Sequence, residues 1–229
     1  MPVEQFQRDL ARLKNDLQAQ ADRVYDLFFK SVDSFFAVDL ARADEVIHGD
    51  RVIDRVDVEI ERASIPLLGM GETDPSSIRS VLTIVKVNNE LERIADCGVD
   101  IAEAVKASDG VDMPVPPTFR VMANSVIAMV RDTRAVLANS DTDLARKVLA
   151  YDDTVDRFTR EILLDVQKKV ASGGISVPFA FRLHTVVRSI ERAADHCTNI
   201  CEQVIYLASG RIVRHLPEGW TDPTVPEEV

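Results

Sequence analysis

An apolar seam that advances in alternating steps of three and four residues can be buried only by an α-helix, and this chain carries such a seam twice. The first copy reads Ile84, Val87, Leu91, Ile94, Gly98, Ile101 and Val105, and 99 positions later Leu183, Val186, Ile190, Ala193, Cys197, Ile200 and Val204 repeat it. Between positions 87 and 105, eight residues are identical at that offset. The chain is therefore internally duplicated.

Each seam is accompanied by carboxylates. Glu92, Asp96 and Glu103 in the first copy, and Glu191, Asp195 and Glu202 in the second, fall within about 40° on one stripe, because a helix turns about 100° per residue. Stacked like charges at i,i+4 repel by a few tenths of a kcal/mol per pair, which calls for compensation. The stripe lies about 80° from the core seam and continues a partly apolar row through Val81, Val85 and Asn88, which places it at a groove.

Scarce glycine, few aromatics and repeated three-four patterns predict an all-α chain of six helices. Helix one spans Gln5 to Ala37. Helix two begins near Asp39 and is stopped by Pro66 and the Gly69-Met70-Gly71 loop. The third runs from the Thr73-Asp74-Pro75-Ser76 cap to Ser108-Asp109-Gly110, and the prolines at 114, 116 and 117 then part the two halves. Helices four to six follow over Thr118–Asn139, Asp141–Ala171 and Ser176–Ser209. Short loops make neighbours antiparallel, so the expected architecture is a tandem pair of antiparallel three-helix bundles related by a pseudo-two-fold. The repeats are placed at 1–110 and 111–215, and an acidic proline-containing tail, loosely ordered, at 216–229.

Helix two carries a second carboxylate line, Asp50, Asp54, Asp57 and Glu61. Its counterpart in helix five keeps Asp152 and Asp156 but has Thr159 and Leu163 where two acids stood, so fewer ions are expected in that half. Two such pairs facing across a groove bring four carboxylates within reach of one cation or a small cluster, the oxygen-rich chemistry suited to Mg, Mn, Ca or iron. The opposing reading is a solvated acidic face paired with Arg55, Arg93, Arg157 and Arg192 on a plain helical scaffold.

The formal charge of −11 argues against a nucleic-acid footprint. No apolar run approaches the roughly 18 residues of a membrane span and no signal-peptide core follows Met1, so a cytoplasmic location is expected. Cys97, Cys197 and Cys201 lack CxxC spacing and are expected as buried, reduced filler. For His196 a capping or core role leads over a ligand role. No GxxxxGK[ST], HExxH or GxSxG motif is present, and neither Glu92 nor Glu191 has the Glu-x-x-His of a carboxylate-bridged di-iron oxidase or ferritin-like store, the alternative weighed against a non-enzymatic role.

Leu91-Glu92-Arg93-Ile94-Ala95-Asp96, and above all the run from Ile190 through Asp195-His196-Cys197-Thr198-Asn199-Ile200 to Leu207, resemble the "LERIGDHATNIAE…VYLVTG" helices of the PhoU family. The chain departs from that pattern at Ala95, Ala194 and Cys97. The resemblance implies two symmetric three-helix bundles that bind multinuclear iron or zinc through E/DxxxD motifs. By it the metal candidates are Asp50, Asp54, Glu92, Asp96, Asp152, Asp156, Glu191 and Asp195, with Glu103 and Glu202 secondary. It also implies a regulatory adaptor that links the ATPase subunit of a Pst-type phosphate ABC transporter to a sensor histidine kinase and represses phosphate-starvation genes. A homodimer is expected, with membrane contact only through partners.

Overall fold

A computed structural model describes residues 2–70, 74–108, 115–211 and 213. Six helices account for nearly all of them: α1 (Pro2–Ala37), α2 (Leu40–Gly69), α3 (Pro75–Lys106), α4 (Pro117–Asn139), α5 (Thr142–Ala171) and α6 (Val177–Ser209). Side chains that accept from free backbone N–H groups set the starts. Asp39 caps α2 through Arg42, Asp74 caps α3 through Ser77, Asp141 caps α5 through Asp143 and Leu144, and Ser176 caps α6 through Phe179. Prolines at the first turns of α3, α4 and α6 sit where no N–H is needed.

Two local features depart from expectation. Pro66 does not stop α2, which continues one turn to Gly69. Pro66 lies on the exposed face, where its missing N–H leaves only a solvent-accessible carbonyl behind. The turn between α1 and α2 is made by Val38 at φ 52, a left-handed position that β-branched residues rarely take. The Asp39 N–H held by the Ser34 carbonyl at 2.9 Å closes that turn. The expected boundary between the repeats, at 110/111, and the tail at 216–229 lie outside the described residues.

Helices α1, α2 and α3 pack as one three-helix bundle and α4, α5 and α6 as another, joined by α3 against α6 and by α1 against α4. Every residue of both predicted seams is buried. At the second joint, Phe119 of α4 meets Phe35 of α1 edge-on at 5.5 Å and Phe36 at the same distance. Gly98 permits the close approach of α3 to α1: a Cβ there would stand 2.7 Å from Leu27 Cδ2 and 3.6 Å from the Phe28 Cα. Among the described residues no helix is long and apolar enough to cross a membrane.

The α3–α6 joint is antiparallel, and one polar contact across it repeats under the duplication. Asn199 donates to Glu90 at 3.0 Å, and adding or subtracting 99 turns that pair into Ser189 with Asp100, whose hydroxyl-to-carboxylate bond is 3.1 Å. The pseudo-two-fold axis therefore runs between α3 and α6.

Candidate functional site

Asn88 of α3 donates both to the Asp57 carbonyl at 3.0 Å and to its carboxylate at 2.6 Å, which locks α2 and α3 in antiparallel register. That register sets the two acid lines of the first half against each other. Burial pushes the Asp50 carboxyl up to about 6, and Asp54 on its own helix and Asp96 across the groove add to the shift. Burial likewise raises Asp57, with Glu61 and Asp54 contributing, and raises Glu92, which feels Asp96, Asp57 and Asp54. Asp96 is raised by burial first, with Arg93 opposing and Asp100 and Asp54 adding. Asp50, Asp54, Asp57, Glu92 and Asp96 thus form one electrostatic unit across two helices.

The second half repeats it. Burial brings Asp152 up to about 6, reinforced by Asp195 and Glu191 from α6 and by Asp156 and Asp153 from α5. Glu191 and Asp195 are raised by burial as well. Arg188 offsets the first, and both sense Asp156. The eight primary candidates thus fall four to a groove and sense one another across it. Glu103 is exposed two turns beyond Asp96 and is not among the leading charges on the first groove. Glu202 stands equally far beyond Asp195 and acts instead on Cys201.

Two oxygens in the grooves are buried without a partner: Asn88 Oδ1 in the first and Glu191 Oε2 in the second. An orphaned acceptor among mutually repelling carboxylates is what a hard cation satisfies, and all-oxygen donors fit Mg, Mn or iron better than zinc. Among the described residues, no three His, Cys, Asp or Glu side chains stand together as a ready-made coordination shell. The rows supply charge and oxygen donors, and side-chain rotation would be needed to close them around an ion. The pairing with Arg that a plain solvated face requires is partial: Arg188 holds Glu191 at 2.7 Å and Arg93 lies 3.6 Å from Glu92, while Arg192 turns away to Asp100 at 3.2 Å.

The cysteines are buried and free, and burial pushes the Cys97 and Cys201 thiols up to about 12. Buried, protonated thiols pack here as small apolar side chains. His196 donates from Nδ1 to Glu90 at 2.7 Å across the joint between halves. Its equivalent in the first copy is Cys97, and the equivalent of Glu90 is Ser189, so both members of the ionisable pair are replaced together in the mirror-related contact. This pairing is not legible in the sequence, because Glu90 and His196 belong to different helices.

Matches to the PhoU domain cover residues 17–105 and 119–204, once per bundle. This chain belongs to the PhoU family. Relatives over nearly the whole length include the phosphate-specific transport system accessory protein PhoU homolog 1 of Thermotoga maritima, 27% identical over 216 residues and covering 93% of both chains. The PhoU homolog of the same description from Aquifex aeolicus is 31% identical, covering 91% of this chain and 95% of its own. Among solved structures, PhoU from Pseudomonas aeruginosa superposes with a TM-score of 0.87 at 26% identity, over 90% of this chain and all of that one. The phosphate transport system regulatory protein PhoU from Streptococcus pneumoniae gives 0.83 at 22% identity, over 91% and 99%. The PhoU fold, all-α and duplicated, is therefore the fold of this chain.

Proposed function

We propose that this chain is a non-enzymatic accessory regulator of phosphate uptake whose two carboxylate grooves take up metal cations. The phosphate role is supported by relatives that match over more than nine-tenths of the chain and carry accessory-protein names. The metal role is supported by one observation above others: in each half, two helices bring carboxylates together, half-buried except for the exposed Asp54 and Asp195, until one aspartate is raised to about 6. Asp50, Asp54, Glu92 and Asp96 would hold metal in the first groove, and Asp152, Asp156, Glu191 and Asp195 in the second. Iron or zinc clusters, or Mg and Mn singly, would neutralise the rows and fix the spacing of their helices. The second groove, with Thr159 and Leu163 where the first has Asp57 and Glu61, takes fewer ions. Glu103 and Glu202 are peripheral donors.

In this reading the chain works in the cytoplasm, as a homodimer, on the ATPase subunit of a Pst-type transporter and on a sensor histidine kinase. Metal loading alters the surface offered to both, which is a coupling free energy between sites. The alternative di-iron oxidase lacks Glu-x-x-His on either groove and predicts dioxygen consumption with ferrous iron.

Elemental analysis of purified protein tests the metal half. The variant carrying Glu92→Ala, Asp96→Ala, Glu191→Ala and Asp195→Ala should lose bound metal and keep its helicity; unchanged metal content sinks the assignment. In a strain lacking the chain, a phosphate-starvation reporter should be active in high phosphate and silenced on complementation. A reporter indifferent to the chain sinks the regulatory half.

A further inference from the structure

The α3–α6 joint continues past Glu90 toward the start of α3. On α3 the row reads Arg79, Thr83, Lys86, Glu90; facing it on α6 are Tyr206, Gln203, Asn199 and His196. Glu90 is satisfied by His196 and Asn199, and beyond it the composition of the joint changes.

Arg79 and Lys86 both approach one ring, their charges 5.7 Å and 5.8 Å from the centre of Tyr206. In a chain of formal charge −11, no carboxylate among the described residues pairs with either. Arg79 Nε is buried without an acceptor, and two polar atoms in the same stretch, Thr83 Oγ1 and Gln203 Oε1, are buried without partners as well. Their residues are 4% and 9% exposed, so solvent does not satisfy them freely. Gly210, at φ 73, closes the end of α6 and leaves room for the guanidinium: a Cβ there would fall on Arg79 Nη1, 2.3 Å away.

The fold does not demand these cations. The duplication places Pro178, Thr185 and Ala107 at the equivalent positions, so the mirror-related end has no paired cations over an aromatic ring among the described residues, although Arg182 there also has a buried Nε without a partner. A guanidinium whose Nε is buried without an acceptor and an exposed ammonium share one aromatic face, with no carboxylate among the described residues to balance them, and a bound anion would pair with both.

We propose that Arg79, Lys86 and Tyr206 form a binding site for one tetrahedral oxyanion of the phosphate or sulfate kind. Arg79 offers its fork, Lys86 a mobile point charge, and the Tyr206 hydroxyl a further donor. The site is separate from the carboxylate grooves and needs no metal.

The test titrates the full chain with sodium phosphate at an ionic strength held constant with sodium chloride, followed by calorimetry and by the thermal unfolding midpoint. Saturable one-to-one binding with a rising midpoint is expected. Lys86→Glu, at an exposed position that leaves folding intact by circular dichroism, should weaken binding at least about tenfold, and Arg79→Gln should do likewise. A response that sodium chloride alone reproduces overturns the site. So does phosphate binding that survives both substitutions, which would assign it to metal in the acid rows. Sulfate and a nucleoside triphosphate form further arms. Binding of free phosphate but not the triphosphate identifies an inorganic ligand, and tighter binding of the triphosphate identifies a phosphoryl group on a larger molecule; either supports the site.

Discussion

Asp50 and Asp152 set the acid–base behaviour of the grooves. Both carboxyls rise to about 6 when the chain folds, above their unfolded value near 4, so the folded state holds more protons in that window. Their contribution therefore favours folding at low pH and falls away as pH climbs from about 4 through 6. Chelator-treated protein should lose thermal stability across that range, and Asp50→Asn should flatten the loss. Metal should protect more at pH 7 than at pH 5, since it competes with protons for the same oxygens. A melting midpoint that rises through pH 4 to 6 in both wild type and variant would contradict this assignment. Gly98 makes a separate residue-scale case. Gly98→Val would drive a branched side chain into Leu27 and the α1 backbone and should lower unfolding free energy by about 2 kcal/mol, measured by urea denaturation.

Between elements, the polar contacts of the α3–α6 joint decide how one half sits on the other. Burial pushes the Glu90 carboxyl up, but hydrogen bonds from His196 and Asn199 outweigh it, leaving the group below its ordinary range. The stabilisation it provides is present at neutral pH and lost as pH falls through that depressed value. Glu90→Ala strands two donors in a half-buried joint and should cost about 2 kcal/mol. Ser189→Ala, at the mirror-related contact, should cost less, because Asp100 keeps Arg192 as a partner. Equal losses for the two in chemical denaturation would refute this asymmetry. The helices themselves were legible in advance: caps at Asp39, Asp74, Asp141 and Ser176 and the left-handed stop at Gly210 are local chemistry. Pro66 misled because whether a proline ends a helix depends on which face it occupies.

For the molecule as a whole, the contacts between the halves predict one cooperative unit in place of two independent bundles. Phe119 is fully buried against Phe35 and Phe36 of the other half, so Phe119→Ala should cost about 3 to 5 kcal/mol and weaken amide protection in α1 as well as α4. Protection lost only in α4 would show that the bundles unfold separately. The sequence by itself determined the number of helices, most of their caps, the buried seams and the phase of the acid rows. All of these follow from a fixed turn of about 100° per residue within one helix. Which rows meet was decided only in three dimensions. The facing of α2 on α3, the Glu90–His196 pair and the gathering of Arg79 and Lys86 at Tyr206 depend on axial register between helices. Register is set by packing summed over the entire interface, and no single stretch of sequence encodes it.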